Sequence, residues 1–230
     1  IYRSPTDMGV NRAGFAITND QGIKEAAMQE IIRRYFRYRC EYAMGFIEKE
    51  TVQRVELFIK ESNLEPEYRR VVVPAREAAA AAVEANKGNE GIYCGAAIEL
   101  KDGTIISGNN SSLMHAATSL IIHAIKHLAG IPDKLPLLPE YITGSVQKLK
   151  MEILKEKTVS LDLEEALIAL CISAMTNPAA QLAIETLKEL RDCEVHMTHI
   201  PTPGDEAGLR RLGVNLTSDP NFSTKDLFIS

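Results

Sequence analysis

The order of apolar and polar positions predicts a chain that is helical at first and then mixes strands with helices. Apolar residues recur at helical spacing over residues 20–45 and 48–62, and an alanine-rich helix follows Pro74. From residue 92 the period changes. Two short apolar runs, 92–100 and 104–107, flank an Asp-Gly pair, which is typical of a β-hairpin.

Behind the hairpin the pattern predicts helices and strands in alternation, which indicates a three-layer α/β unit. A serine, Ser111 or Ser112, is placed to cap the first of these helices. The stretch 163–175 fits a helix, with a buried strand over 168–172 as the alternative. In order, we predict helices over 113–129, 139–156, 163–175 and 178–190, a strand over 194–200, a helix over 205–212 and a strand over 214–217.

These elements predict two domains. Residues 1–90 form a helical subdomain that begins with a polar loop, and residues 91–230 form an α/β domain with a helical insertion at about 131–160.

Composition and charge narrow the class of protein. The 230 residues are 45% apolar and 25% charged, as in a soluble globular chain, and no apolar run reaches the roughly 18 residues of a membrane span. The net charge of -5 disfavours a nucleic-acid binder. Four widely spaced cysteines indicate free thiols in a reducing cytoplasm. Because the chain starts at Ile1 with no signal peptide, we expect a fragment of a longer cytoplasmic protein.

A polar segment at residues 4–15 supplies the first candidate ligand-binding residues: Asp7, Asn11 and Arg12. Its glycines allow a close backbone approach to a ligand, and Arg12 can pair with a phosphate or a carboxylate. The alternative is a structural turn tied by Asp7 and Asn11.

Two more segments carry polar groups next to predicted helix starts. Asn110 and His115 lie where free backbone N–H groups favour an anion, although simple capping explains the same pattern. His199 precedes a proline-rich loop, and Asp205 and Glu206 follow in the first turn of the next helix, where acids suit the helix dipole. His115, His199 and Asp7 are the catalytic candidates.

The histidine spacings do not indicate a metal site. His123 and His127 are four residues apart but lack the glutamate of H-E-x-x-H, and His196 and His199 point to opposite sides of a strand. We therefore expect neither a metal nor a cofactor.

Four segments resemble one bacterial family, catalogued as domain of unknown function 1846. They are Ser-Pro-Thr-Asp-Met-Gly-Val-Asn-Arg-Ala-Gly-Phe (4–15), Gln-Glu-Ile-Ile-Arg-Arg-Tyr-Phe (29–36), Cys-Gly-Ala-Ala-Ile-Glu-Leu-Lys-Asp-Gly (94–103) and Met-Thr-His-Ile-Pro-Thr-Pro-Gly-Asp-Glu (197–206). The resemblance covers essentially the whole chain and implies a parent roughly twice as long. It also implies an N-terminal α/β domain with a phosphate-loop-like stretch as the partner of this chain.

The element order also resembles the cytidine-deaminase-like fold. In that fold a His/Cys-Ala-Glu and a Pro-Cys-x-x-Cys, each at a helix start, hold zinc and a proton shuttle. The matching positions are His115-Ala116-Ala117 and Pro178 to Leu182, where the glutamate and both cysteines are missing. The resemblance therefore implies the fold and a pocket between two helix starts, without zinc-deaminase chemistry.

Two functions follow as hypotheses. In the first, the chain is part of an enzyme that binds or acts on a phosphate- or nucleotide-bearing small molecule. In the second, it is a non-catalytic binding, regulatory or oligomerisation module. We expect a homo-oligomer with no nucleic-acid or membrane partner. The enzyme hypothesis requires segments 4–15, 109–115 and 196–206 to meet at one pocket.

Overall fold

Three helices form the front of the molecule in the computed structural model, which describes residues 20–223 and the side chains from residue 22 onward. They are α1 (Asp20–Ala43), α2 (Lys49–Glu61) and, after a short 3-10 turn (Pro66–Tyr68), α3 (Val72–Glu84). Their apolar faces meet in a small buried cluster made of Ile32, Phe36, Ile59, Leu64 and Val72. The predicted helical front is confirmed.

A four-stranded mixed sheet forms the centre of the rest. Its strands are β1 (Gly95–Glu99), β2 (Ile105–Asn109), β3 (Glu194–Met197) and β4 (Asn215–Ser218), in the order β2-β1-β3-β4. The hairpin β1–β2 is antiparallel, β1 also runs antiparallel to β3, and β3 and β4 are parallel. The predicted hairpin is confirmed, and Gly103 takes the positive φ of 84° that its turn requires.

The remaining helices cover the sheet and one another. They are α4 (Ala116–Leu128), α5 (Glu140–Lys148), a π-helical extension of α5 (Leu149–Leu154), α6 (Leu163–Ala174), α7 (Pro178–Thr186), a 3-10 turn (Leu187–Leu190) and α8 (Pro203–Leu212). The strand alternative for residues 168–172 is wrong. Asp162 and Glu165 form a reciprocal capping box that starts a helix there, and Leu163 and Leu170 reach the core at helical spacing.

Helices lie on both faces of the sheet, so the α/β class with three layers is confirmed. On one face, Ala97 packs against Val71 and Ala75 at the start of α3. On the other, Ile98 packs with Leu120 of α4. Alternate residues of a strand point to opposite faces, which is why neighbouring positions serve different layers. The domain boundary at 90/91 and the insertion at 131–160 stay predictions.

The start of α4 differs from the prediction. Neither Ser111 nor Ser112 caps it, since the N-cap is His115. The Ser111 hydroxyl instead accepts hydrogen bonds from the amides of Leu113 and Met114, and Met114 then pairs with Leu161 as a parallel bridge. This pairing keeps the chain extended up to His115, so the helix begins three residues later than its serine signal indicates.

Candidate functional site

A cavity of about 310 Å³ opens at one edge of the sheet. The residues around it come from the ends of three strands: Cys94 just before β1, Asn110 just after β2 and Met197 at the end of β3. The start of β1 lies there because β1 runs antiparallel to β3. The edge where strands of an α/β sheet end, beside the N-termini of the following helices, is the usual place for a ligand site.

His115 lies in the cavity wall, at the point where α4 begins. Its backbone amide donates to the carbonyl of Leu161 over 2.9 Å, which fixes the residue against the segment before α6. As an N-cap its backbone is extended, with ψ at 163°, so the side chain leaves the helix axis at the cavity. The side chain is 21% exposed.

Asp205, in the first turn of α8, holds the imidazole of His115. The His115 Nδ1 and Asp205 Oδ2 atoms are 2.7 Å apart. Because a carboxylate accepts, this contact places a proton on Nδ1 and leaves Nε2 as the second ring nitrogen. Nε2 has no hydrogen bond to any residue between 20 and 223. The His115–Asp205 pair is therefore an oriented imidazole with one nitrogen available to a ligand.

The carboxylate of Asp205 is itself held by two further donors. The hydroxyl of Thr202, which is the N-cap of α8, donates to Oδ2 over 2.8 Å, and the amide of Leu163 donates to Oδ1 over 2.9 Å. Asp205 thus joins the N-termini of α6 and α8 to the start of α4. With only 2% of its surface exposed, it is a rigid support for His115.

Gly204 makes this arrangement possible. A Cβ atom at this position would lie 2.0 Å from Oδ2 of Asp162, the N-cap of α6. Only glycine therefore allows α8 to begin so close to α6. Burial raises the pKa of Asp162, and the neighbouring charge of Asp205 adds to this effect.

The pKa of His115 is the result of two opposed effects. Burial is the largest effect and lowers the pKa, but the hydrogen bond that His115 donates to Asp205 and the charge of that carboxylate together outweigh burial, so the pKa lies above its ordinary value. The surroundings therefore favour the imidazolium over a wider pH range than for a free histidine, and the imidazolium presents an N–H at Nε2. Such a group can donate to an anion or act as a general acid.

Backbone amides at the same end of the cavity add to this character. The first-turn N–H groups of α4 have no intrahelical acceptor, and no side chain caps them. Ala116, the first residue of the helix, lines the cavity. The positive end of the helix dipole and the His115 ring thus lie side by side.

Cys94 lies in the same cavity but is not an activated nucleophile. Burial raises its pKa to about 12, and the charge of Asp205 acts in the same direction. A thiol with such a pKa is protonated at neutral pH, whereas the thiolate is the reactive form. The sequence analysis did not single out Cys94, because nothing local shows that it reaches a cavity.

The predicted site residues have separate locations. Asn110 lines the cavity, but its side chain accepts from the amide of Cys94 and donates to the carbonyl of Ile92, so it closes the mouth of the hairpin. His199 is not among the described residues that line the cavity. Its Nδ1 contacts the Thr198 hydroxyl at 2.9 Å, and burial lowers its pKa. Asp7, Asn11 and Arg12 lie outside the described residues, and their roles stay predictions.

The second helix start at the cavity is not the predicted one. The structure places the N-terminus of α8 beside His115, whereas Asn177 caps the start of α7 at Pro178, which does not line the cavity. The resemblance of residues 178–182 to the second deaminase motif stays a prediction, and this segment gives the cavity no lining residue. Within residues 20–223, no three metal-ligating side chains of the His, Cys, Asp and Glu types come together.

Sequence reasoning also missed a polar cluster around His196, on the face of β3 that packs against α1. His196 is fully buried there, its Nδ1 contacts the Thr217 hydroxyl at 2.9 Å, and its ring packs on Phe36 of α1. Asp219 lies beside it and accepts two hydrogen bonds from Arg76. Burial lowers the pKa of His196, so its neutral form is favoured. This cluster fastens the front helices to the sheet.

Taken with the fold, the site defines an α/β protein with an oriented histidine–carboxylate pair in a cavity at the sheet edge. None of the described helices is long and apolar enough to cross a membrane.

Sequence comparison identifies the family. Residues 67–228 match "Domain of unknown function DUF1846, C-terminal", and residues 1–63 match "Domain of unknown function DUF1846, N-terminal". The chain belongs to the DUF1846 family, so the predicted resemblance is confirmed.

The relatives are bacterial and longer than this chain. A UPF0371 protein of Clostridium botulinum (strain Alaska E43 / Type E3) is 48% identical over 228 residues, which is 99% of this chain and 45% of the relative. A UPF0371 protein of Clostridium tetani (strain Massachusetts / E88) is 43% identical over 227 residues, with the same two shares. The chain therefore spans a little under half the length of these curated relatives.

Proposed function

We propose that this chain is the C-terminal part of a cytoplasmic bacterial protein and that its cavity binds a phosphate- or nucleotide-bearing small molecule. The observation that carries the proposal is the His115–Asp205 pair in the cavity wall. The raised pKa of His115 favours an imidazolium, and the uncapped start of α4 adds backbone N–H groups next to it. These groups suit an anionic oxygen at this end of the cavity, whose wall also contains Lys157 and the acidic residues Glu90 and Glu156.

The element order supports a cytidine-deaminase-like topology as part of this proposal. Along the chain, the hairpin comes first and is followed by the helix start at His115, then by β3 and the helix start at Pro203. Helices α5 to α7 lie between α4 and β3. In zinc deaminases, the second motif is Pro-Cys-x-x-Cys. The segment at the start of α8 is Pro201-Thr202-Pro203-Gly204-Asp205, with threonine and aspartate at the cysteine positions. We infer that hydrogen bonds among His115, Asp205 and Thr202 occupy the place of a zinc site.

This substitution changes the chemistry that the cavity can perform. Ala117 stands where the deaminase motif has its glutamate, so the proton shuttle of that reaction is missing. His115 is then the one group in the described cavity wall with both a free ring nitrogen and a pKa that favours proton donation. If the parent protein is an enzyme, His115 acts as its general acid or holds the anionic group of the substrate.

Binding to the full-length protein tests the proposal. We expect inorganic phosphate, a nucleoside monophosphate or a nucleoside triphosphate to raise the melting temperature, since a ligand that binds only the folded state stabilises it. His115→Ala should abolish the rise. The matched control is His127→Ala, because His127 lies on the same helix and is exposed. An equal rise in the His115→Ala protein would contradict the proposal.

The alternative is a non-catalytic module that oligomerises, and one observation favours it. Three exposed apolar side chains follow one another at helical spacing along α6 and its C-cap: Ile168, Ile172 and Met175, of which Met175 is 83% exposed. Met175→Asp should then convert a sedimenting oligomer into a monomer, with no effect on the binding of phosphate compounds. Wild-type chain that sediments as a monomer at high concentration excludes this alternative.

A further inference from the structure

A groove of about 380 Å³ separates α1 from α2 on the surface of the front helices. Ile31, Tyr38, Val55 and Phe58 line it, together with Arg34 and Arg54. Large apolar side chains are also exposed on this part of the molecule: Leu57 and Phe58 are 55% and 50% exposed, and Phe46 is 74% exposed. A concentration of exposed apolar surface of this kind marks an interaction site.

The charges at the groove are positive and only partly neutralised. Arg34 donates to Glu30 on its own helix. Arg54 makes no hydrogen bond or ion pair with any residue from 20 to 223. An occupant with apolar side chains and at least one carboxylate would therefore complement the groove better than a basic one.

The family assignment indicates which polypeptide has this complementary surface. Both α1 and α2 lie within residues 1–63, the part that matches the N-terminal DUF1846 unit, whereas the C-terminal match starts at residue 67. The chain spans only 45% of its Clostridium botulinum relative. By sequence, then, the two helices belong to the N-terminal unit, and the relative contains further polypeptide beyond the matched 45% of its length. A helix face with exposed apolar side chains is stable in water only when another element packs against it, and the further polypeptide of the longer relatives is the candidate for that element.

We propose that the groove between α1 and α2 is the docking surface for the rest of the N-terminal DUF1846 unit, through an apolar segment of that unit with a carboxylate that pairs with Arg54. This inference rests on the proposal that the chain works as part of a longer protein. It does not depend on what binds at His115. The groove is then an internal interface of the full-length protein.

Thiol labelling tests this proposal, because the chain carries its own reference thiol. Cys171 on α6 is exposed, while Cys40, Cys94 and Cys193 are buried. Phe58→Cys adds a second reactive thiol in the groove. We expect a maleimide to label position 58 and Cys171 at comparable rates in the 230-residue chain. In the full-length form, which carries the N-terminal region of the relatives, labelling at position 58 should fall at least tenfold relative to Cys171.

Two other results would overturn the proposal. The first is an unchanged ratio of the two labelling rates in the full-length form. The second is protection of position 58 in the 230-residue chain that grows with protein concentration, since this makes a second copy the occupant. Hydrogen exchange needs no substitution and provides an independent check. In the full-length Clostridium botulinum relative, the amides that correspond to α1 and α2 should exchange at least tenfold more slowly than in the 230-residue chain, after correction for intrinsic rates.

The two proposals can fail separately. If phosphate compounds do not raise the melting temperature, the proposal about the His115 cavity fails, but the ratio of labelling rates at position 58 and Cys171 still tests the groove. Conversely, Arg54→Glu should weaken protection of the groove in the full-length form, and it should leave the response to phosphate compounds intact because Arg54 does not line that cavity.

Discussion

Replacing Asp205 tests whether a buried carboxylate holds the candidate site together. Asp205→Ala removes the acceptor of three hydrogen bonds, from His115, Thr202 and the amide of Leu163. A buried donor left without an acceptor costs about 1–3 kcal/mol. The Thr202 hydroxyl can rotate to another acceptor and the partly exposed His115 ring can reach water, so the Leu163 amide accounts for most of the loss. We expect the free energy of unfolding to fall by about 2–4 kcal/mol.

Asp205→Asn separates the charge from the hydrogen bonds. Its amide oxygen can still accept from Leu163, so the cost in stability should be smaller, about 1–2 kcal/mol. The larger effect should be on His115. Burial lowers the pKa of this residue and only the Asp205 contact and nearby carboxylates oppose it, so the pKa of His115 should fall in the variant.

Two measurements check these expectations: urea unfolding for stability, and an NMR titration of the imidazole for the pKa of His115. Glu206→Gln is the matched control. Glu206 is the next residue of α8, and within residues 20–223 its side chain pairs with Arg210 alone, so its replacement should change stability by less than about 0.5 kcal/mol. The interpretation is refuted if Asp205→Ala costs no more than Glu206→Gln, or if Asp205→Asn leaves the pKa of His115 where it was.

Further predictions concern His115, His196, Gly95 and the cysteines. Because the pKa of His115 is raised in the fold, the stability that its pairing with Asp205 contributes is fully present below about pH 6.5 and is lost as the pH rises through the folded pKa. His115→Gln should therefore remove this pH dependence from the free energy of unfolding in urea. The pKa of His196 is lowered, so its contribution is present above about pH 6.5 and is lost below it; His196→Gln should flatten that side of the profile. Gly95→Ala should destabilise the fold by at least about 1–3 kcal/mol, because the new Cβ would lie 2.1 Å from the carbonyl oxygen of Ala75. The control Gly144→Ala places a Cβ with nothing within 4 Å and should stabilise α5 slightly. Thermal unfolding of both variants measures the difference. Native mass spectrometry after maleimide treatment should show one modified thiol, Cys171, and a disulfide between any two cysteines would contradict the free-thiol prediction.

Most of the element order could be predicted because it depends on local signals. The hairpin at Asp102-Gly103 and the capping box of α6 are each encoded within a few neighbouring residues. The start of α4 was misplaced for the same reason. Ser111 does accept backbone amides as a capping serine does, but it closes a turn, and the pairing of Met114 with Leu161 delays the helix. That pairing is non-local, so no nearby pattern indicates it.

The candidate site was only partly predictable, for a related reason. Sequence reasoning chose His115 because it stands near a helix start, and it recognised Asp205 as an acid suited to the first turn of a helix. It could not bring the two together, because they are 90 residues apart and meet only when β1 and β3 pair. If the proposed deaminase-like topology holds, the Pro-x-x-x-Asp segment over residues 201–205, which follows a strand, is the signal that could have found Asp205.

The partly exposed His115 and the buried His196 have pKa values that shift in opposite directions, and this bears on how the proposed ligand binds. An anion at Nε2 of His115 prefers the imidazolium, so binding should weaken as the pH rises above the raised pKa of this residue. The fold favours the neutral form of His196, whose ring packs on Phe36 of α1, so the framework should weaken as the pH falls from about 6.5 towards the lowered pKa of His196. Between these two values both histidines are in the state that their surroundings favour, and this interval includes about pH 6.5. The affinity for a phosphate compound should therefore be highest in this interval, with the deprotonation of His115 causing the loss at higher pH and the protonation of His196 the loss at lower pH. His196→Gln should shift only the acid limb.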